Sequence, residues 1–403
     1  MTPEILTSPA APAGHAAVPS DAVMETVSRV ISFDTTSRNS NLALVEAIQD
    51  LLVPKGFRVT LTHDDTGQKA NMLATLPADD GRLTGGLCFS GHLDTVPVDG
   101  QNWVSDPFSA SLRDGMLYGR GACDMKGFVG TALAVAINRA GRPQRKPLHL
   151  ALSYDEELGC AGAPSLVADM IERGIVPDGC IVGEPTMMEI IAAHKGANVG
   201  RVHLEGLARH SSRAPDGINA IEHAAAFILF LRNMAADFER NGPFDDHFDV
   251  PFTTMQTGLI QGGNAVNTVP AACTLDFEFR NLPGVSADEL RRTIADYIET
   301  ELRPAMKTEA AAGDARLEWP AAAPAFETDE TSRFTRLARA IAGDKAIRKV
   351  AYGTEAGLFA EAGIPTLVCG PGNIAVAHTA DEHVSLEQLA RCEQFLHALA
   401  DAL

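Results

Sequence analysis

Several things are missing from this 403-residue chain, and each absence removes a class of function. No apolar run reaches the 18 or so residues that a membrane span needs, so no membrane partner is expected. Basic charge is scarce: 33 Lys and Arg stand against 52 Asp and Glu, a formal net charge of −19. So acidic a surface repels nucleic-acid phosphates and anionic lipid, and neither is expected as a partner. The opening MTPEILTSPAAPAGHAAVPS has neither the basic start nor the apolar stretch of a signal peptide. Cysteine pairs are absent too. The seven cysteines (88, 123, 160, 180, 273, 369 and 392) include no Cys-x-x-Cys spacing, which argues against a disulfide framework and a thiolate zinc site. A cytoplasmic protein with reduced thiols is expected.

What is present is ordinary globular composition, 45% hydrophobic and 21% charged. Short apolar runs lead into polar loops at Gly86–Ser90 before GHLDTVP, Leu148–Tyr154 before DEELG, Cys180–Val182 before GEPT and Thr366–Cys369 before GPG. Helical segments Met125–Arg139 and Ala163–Arg173 alternate with them, which predicts an α/β layer with a mostly parallel mixed sheet. Ligands of such sheets gather at the carboxyl ends of the strands, where these loops lie. The middle of the chain differs. Asp216 is placed to N-cap a helix to about Arg240, with Ile218, Ile221, Ala225, Ile228, Leu229 and Leu231 on one face. Thr268–Arg280 alternates like a strand, and Ser286 with Glu289 forms a capping box. This predicts an inserted α+β module, with AAAGDARLEWPAAAP as the linker back. A last helix opens at Ser385. The expected division is a flexible segment 1–19, a catalytic domain in two parts, 20–196 and 315–403, and the insertion 197–314 between them.

Candidate metal ligands stand at the strand ends: His92, with Asp94 two residues on; Asp124 in GRGACDMKG; the pair Glu156 and Glu157; Glu184; and His378. A lone His-x-Asp or Glu-Glu pair is more often surface decoration, and GEPT alone can be a turn. Together, in order, they are harder to dismiss. Carboxylates crowded into a half-buried site repel one another unless cations resolve the cost. Imidazole and carboxylate without thiolate suit zinc, cobalt or manganese. Five ligands exceed one tetrahedral ion with an open position and suit two divalent ions bridged by a carboxylate.

The motifs GHLDTVP, WVSDPF, LYGRGACDMKG, DEELG, GEPT, HKG, HSSRAPDGINAIEH, GGNAVNTVP, GTEAG and CGPGNIAVAHTADEH together resemble the acetylornithine deacetylases. These belong to the co-catalytic zinc exopeptidase family, with succinyl-diaminopimelate desuccinylase, aminoacylase and a glutamate-releasing carboxypeptidase. The resemblance spans about residues 20–400. It implies a zinc-exopeptidase-like catalytic domain and a ferredoxin-like insertion serving as lid and dimerisation domain. It also implies that Asp124 bridges two metals, His92 and Glu184 completing one site and Glu157 and His378 the other. Asp94 would orient His92, Glu156 would act as general base and acid, and Asp124–Met125 would be a cis peptide. His210 would reach the active site of the other subunit of a homodimer and stabilise the oxyanion. Asn267 would have a similar polar role, and Arg280 would clamp the substrate carboxylate. From position alone, His210 reads first as a hydrogen-bonded loop residue, Asn267 as a turn residue and Arg280 as a solvated strand end.

The substrate expectation turns on YGTEAGLF. Relatives acting on succinyl groups carry an Arg there; this chain has Glu355 and no Arg between Tyr352 and Phe359. Glu355 would attract a substrate ammonium or support the site from behind. N-acetyl-L-ornithine is the first choice among N-acyl amino acids, with acetylcitrulline, acetyllysine, acetyldiaminobutyrate and succinyl-diaminopimelate as alternatives. A metallo-dipeptidase or carboxypeptidase, or a non-catalytic metal-binding dimer, are the competing readings. One departure is Glu278, where relatives often carry Asp two residues before the clamping Arg. Lys126, Lys195 and Trp103 read as salt-bridged or packed residues.

Overall fold

The computed structural model describes residues 18–402, so most of the N-terminal segment expected to be flexible, residues 1–17, lies outside the described residues. After helices α1 (Asp21–Ile31) and α2 (Leu42–Leu52), the chain lays down strands β1 (Arg58–His63), β2 (Ala70–Leu76) and β3 (Leu87–His92). Helix α3 (Lys126–Arg139), strand β4 (Leu148–Ser153), helix α4 (Ala163–Glu172) and strand β5 (Gly179–Pro185) follow. Then come β6 (Ala197–Glu205), α5 (Ala220–Asn241), β7 (Thr254–Gly262), β8 (Ala272–Arg280), α6 (Ala287–Tyr297), α7 (Arg303–Glu309) and β9 (Asp314–Ala323). The last stretch holds α8 (Arg333–Ala342), α9 (Ala356–Glu361), β10 (Thr366–Gly370) and α10 (Leu386–Ala402).

The first sheet has the order β1-β2-β4-β3-β5-β10. Strands β4, β3, β5 and β10 run parallel; β2 pairs with β4 antiparallel, and β1 pairs with β2 antiparallel. Every residue of the four parallel strands is buried, as expected where helices cover both faces. Glycine sets how closely α3 approaches the sheet. A Cβ on Gly183 would stand 1.9 Å from the Phe128 ring, and one on Gly91 2.9 Å from the Met125 methyl. The head of α3, which carries Asp124 just before it, is thereby drawn against the ends of β3 and β5.

The second sheet is antiparallel throughout, order β7-β8-β6-β9. With its helices it makes the ferredoxin-like succession β6-α5-β7-β8-α6-β9 around a separate core that includes Phe227, Leu275, Phe277 and Ile294. Three local expectations need correction. Asn219, not Asp216, caps α5, because Ser211–Asp216 forms its own 3₁₀ turn first. The buried stripe of α5 is Ala220, Ala224, Phe227 and Leu231, while Ile221 and Leu229 of the expected face are exposed. The expected linker is the edge strand β9. Its Pro320 lies in a register shift between Glu318 and Ala321, where a proline costs no ladder bond. The helix starts at Ser286 and Ser385 are formed where expected: each serine oxygen accepts an N–H three residues on.

Candidate metal centre and active site

The carboxyl ends of β3, β4 and β5, the head of α3 and the loop after β10 meet at one place. His92 ends β3, Glu184 lies near the end of β5, and Glu156 and Glu157 occupy a turn just past β4. Asp124 faces two histidines with different oxygens. Its Oδ1 is 3.0 Å from His92 Nε2, and its Oδ2 is 3.3 Å from His378 Nε2. His378 Nε2 is also 3.1 Å from a Glu157 oxygen, and His92 Nε2 is 3.8 Å from Glu184 Oε1. Ligand atoms of His92, Asp124 and Glu157 all lie within 4.8 Å of one another, as do those of His92, Glu156 and Glu184. The peptide between Asp124 and Met125 is cis.

Electrostatics mark this as a cation site. Burial and the surrounding carboxylates push Glu156 up to about 8, and burial also raises Glu157 and Glu184 above the ordinary glutamate range. Hydrogen bonds to Asp124 and Glu157 lift His378 to about 10. His92 is raised as well: burial opposes its charge, but Asp124, Asp94 and Glu184 outweigh it. One Glu157 oxygen is buried without any hydrogen-bond donor, which is costly unless a cation meets it. The donor set of two imidazoles and three carboxylates, with no thiolate, fits a hard or borderline divalent ion.

Asp94 is buried beside His92, but its carboxylate does more for the glutamate turn. His92 Nδ1 lies 3.0 Å from the main-chain oxygen of Asp94 and 3.5 Å from its carboxylate. That carboxylate accepts the N–H of Glu156 at 3.0 Å, the N–H of Glu157 at 3.3 Å and the Ser37 hydroxyl at 2.7 Å. Asp155, in a left-handed conformation at φ 53°, is held by the Lys69 ammonium, which also donates to the Ser37 carbonyl. Nothing in the local sequence distinguishes Ser37 and Lys69 from surface polar residues, so only the fold reveals their part in the site.

The remaining candidates divide. Glu355 does not face a substrate ammonium. It is 1% exposed, accepts the Ser90 hydroxyl at 3.3 Å and that of Ser153, and so ties β3 to β4 beneath the metal ligands. Arg280 pairs with Glu278 at 2.5 Å and donates to the Ala351 carbonyl at 3.4 Å, so the departure at Glu278 still engages the Arg. His210 and Asn267 lie together on exposed loops of the second module, where Ser211 N–H donates to the Asn267 carbonyl at 2.9 Å. Beside them opens a groove of about 560 Å³ lined by residues such as Ser211, Asn219, Asn264 and Thr268. Among the described residues, neither His210 nor Asn267 hydrogen-bonds to the metal-ligand cluster. Lys126 and Lys195 are packed rather than salt-bridged: both are buried, and each spends its ammonium on a main-chain carbonyl, of Phe33 and Phe252. Trp103 is packed under the Arg120 guanidinium.

Carboxylates and imidazoles converging at the strand ends of an α/β sheet define a metal-binding protein, and comparison with known proteins specifies which kind. Residues 88–402 match the model of peptidase family M20/M25/M40. The acetylornithine deacetylase of Myxococcus xanthus is 34% identical over 377 residues, which cover 93% of this chain and 96% of that protein. The M20 family metallo-carboxypeptidase Sso-CP2 of Sulfolobus solfataricus shares the fold with a TM-score of 0.73 at 16% identity, covering 94% of this chain and 99% of its own. The YXEP protein of Bacillus subtilis, described as a dinuclear metal-binding peptidase of the M20 family, superposes with a TM-score of 0.62 at 14% identity, over 94% and 97% of the two chains. The chain belongs to peptidase family M20/M25/M40 and is an enzyme of its metal-dependent amidohydrolase kind, so the non-catalytic reading falls away.

Proposed function

We propose that this enzyme uses two divalent metal ions, zinc first and cobalt or manganese as alternatives, to hydrolyse N2-acetyl-L-ornithine to acetate and L-ornithine. The observation that carries the two-metal reading is the pair of Asp124 oxygens, one turned to His92 and one to His378. His92 and Glu184 would hold one ion and Glu157 and His378 the other, with Asp124 shared. When bound, the ions supply Lewis acidity for the amide carbonyl and lower the pKa of the attacking water.

The protein's own part falls to Glu156. It stands beside the cluster with its N–H fixed by Asp94 and one oxygen 3.3 Å from the Cys160 thiol. Its carboxylate takes a proton as water attacks the carbonyl, then returns it to the leaving nitrogen as the C–N bond breaks. Arg280 would receive the substrate carboxylate in a bidentate fork, exchanging its bond to Glu278. The ornithine assignment is supported by the 34% identical relative and by the lack of an Arg between Tyr352 and Phe359, which leaves no partner for a succinyl carboxylate. Glu355 gives it no support, being buried.

We also propose that the insertion, 197–314 extended to Ala323 by β9, forms a lid and homodimer contact through which His210 and Asn267 reach the partner's site. Strand β7 is a bare sheet edge carrying Leu259 at 68% and Ile260 at 52% exposure, with Leu229 of α5 and Val266 also exposed. All seven cysteines are free and buried, in keeping with a cytoplasmic location.

The decisive experiment assays apo and metal-reconstituted protein against acetyl-, formyl- and succinyl-ornithine, acetylcitrulline and a dipeptide panel. Metal-dependent turnover highest on acetylornithine is expected. Highest turnover on a dipeptide would move the substrate reading to a peptidase, and full activity after thorough chelation would end the metal reading.

A further inference from the structure

One buried ion pair outside the ligand set touches the loops of two ligands at once. Glu382, four residues past His378, and Arg120 are both at most 1% exposed. Glu382 Oε1 accepts the N–H groups of Cys123 at 2.8 Å and Asp124 at 2.9 Å. Its Oε2 accepts the N–H of Gly121 at 3.1 Å and Arg120 Nη1 at 2.6 Å. The carboxylate thus fills the inside of the loop that presents Asp124. Arg120 turns its other terminal nitrogen the opposite way. Nη2 donates to Gln101 Oε1 at 2.6 Å, and the Gln101 amide donates to the His378 carbonyl at 2.8 Å. Nη1 also reaches the Thr379 carbonyl at 3.4 Å. His378 is itself in a left-handed conformation, φ 62°, which a residue with a Cβ holds only when its surroundings fix it. The hydrogen bonds to its own carbonyl and to that of Thr379 do so.

We propose that Glu382, Arg120 and Gln101 are positioning residues that set the separation of Asp124 and His378, and with it the affinity for divalent ions. The inference rests on the two-metal reading. Ligands carried on separate loops bind tightly only if their main chains are held at the right distance before the ion arrives, and partners behind the ligands control affinity for that reason. The network assigns different reach to its members. Glu382 acts on Asp124, the shared ligand, so loosening it weakens both ions. Gln101 bonds directly to the His378 loop and touches Asp124 only through Arg120 and Glu382, so loosening it weakens chiefly one.

The test is a titration of chelator-stripped protein with Zn²⁺ alone, followed by calorimetry against a competing chelator, with circular dichroism as the check of folding. Wild type is expected to take two equivalents. Glu382→Gln keeps the shape but puts an uncharged amide against Arg120, and both equivalents should bind about 10- to 100-fold more weakly. Gln101→Met removes only the bonds of one half-exposed side chain, and one equivalent should weaken about 10-fold while the other changes less. Wild-type affinities for both equivalents in the folded variants overturn the positioning role. If Glu382→Gln does not fold, the Gln101→Met titration decides alone. Fewer than two equivalents on wild type is a different failure, that of the two-metal reading itself.

Discussion

His92 and His210 are both imidazoles in polar surroundings next to a strand, yet they live differently. His92 is fully buried, with Nδ1 on the Asp94 carbonyl and Nε2 on Asp124. His210 is exposed, and among the described residues its ring is hydrogen-bonded only to Ser212, two residues along its own turn. The contrast extends to their regions. Each ligand loop of the first sheet is pinned from behind by buried partners: Asp94 and Ser37 under the glutamate turn, Glu355 between two strands, Glu382 inside the Asp124 loop. The second module instead presents His210 and Asn267 on open loops and leaves an apolar edge uncovered. Fixed separation matters where ions must be held. Accessibility matters where a substrate or a second subunit must arrive.

The largest expected effect tests the pinned region. Glu156→Gln removes the proton carrier but keeps the side chain's size. It should lower kcat by about 10²- to 10⁴-fold while the protein still binds the same number of metal equivalents. Near-normal turnover would take the base role away from Glu156. Loss of metal along with activity would make it a ligand, which its place beside His92 and Glu184 allows geometrically.

The open region predicts a smaller loss of a different kind. His210→Ala should lower kcat by about 10²-fold, the usual scale for one oxyanion donor, with metal content unchanged. Because His210 is proposed to serve the partner's site, mixing it with Glu156→Gln protein should restore activity. Random exchange would give mixed dimers in which one site has both residues, so roughly a quarter of wild-type activity should return. No recovery after demonstrated subunit exchange would confine His210 to its own subunit and reverse the contrast drawn between the two regions.

Much of the pinned region was legible in the sequence. Parallel strands buried on both faces read as short continuous apolar runs, so LCFSGH, LHLALS and GCIVGEP announce both the strand and the loop, whereas Asp124, expected at a strand end, stands instead at the head of α3. The partners behind the ligands were not legible. Ser37, Lys69, Arg120 and Glu382 are ordinary polar residues until the fold brings them in, the contacts from Ser37 to Asp94 and from Lys69 to Asp155 spanning 57 and 86 residues of chain. The second module was legible only in part. Strand β8 alternates cleanly, but β7 is exposed along most of its length and has no buried face to impose a period. Strand β9 hid behind Pro320 and a run of alanines. The sequence leaves Glu355 open between facing a substrate and supporting the site, because a charge in a loop usually faces solvent; two serines, Ser90 and Ser153, make its burial tolerable.

Buried histidines in the first region give the smallest effect and a metal-independent test of how tightly that region is packed. His149 lies between the Thr75 hydroxyl, 2.9 Å from Nδ1, and the Gly85 carbonyl, 3.0 Å from Nε2. His194 is placed alike between the Thr354 hydroxyl and the Lys195 carbonyl. One nitrogen donates to a carbonyl and the other accepts from a hydroxyl, which satisfies the neutral ring. Burial pushes both down to about 4. With the folded value below the unfolded one of about 6.5, the unfolded chain takes up more protons between those two values. Stability is therefore complete above about pH 6.5 and falls as the pH is lowered towards 4. Between pH 7 and 5 each group should cost about 2 kcal/mol. Denaturant unfolding measured across this range for wild type and His149→Gln separates that contribution from the carboxylates, because the variant should lose about one proton's worth of slope. An unchanged slope would mean that water reaches His149 in the folded protein, and that the sheet beneath the metal ligands is looser than its burial implies.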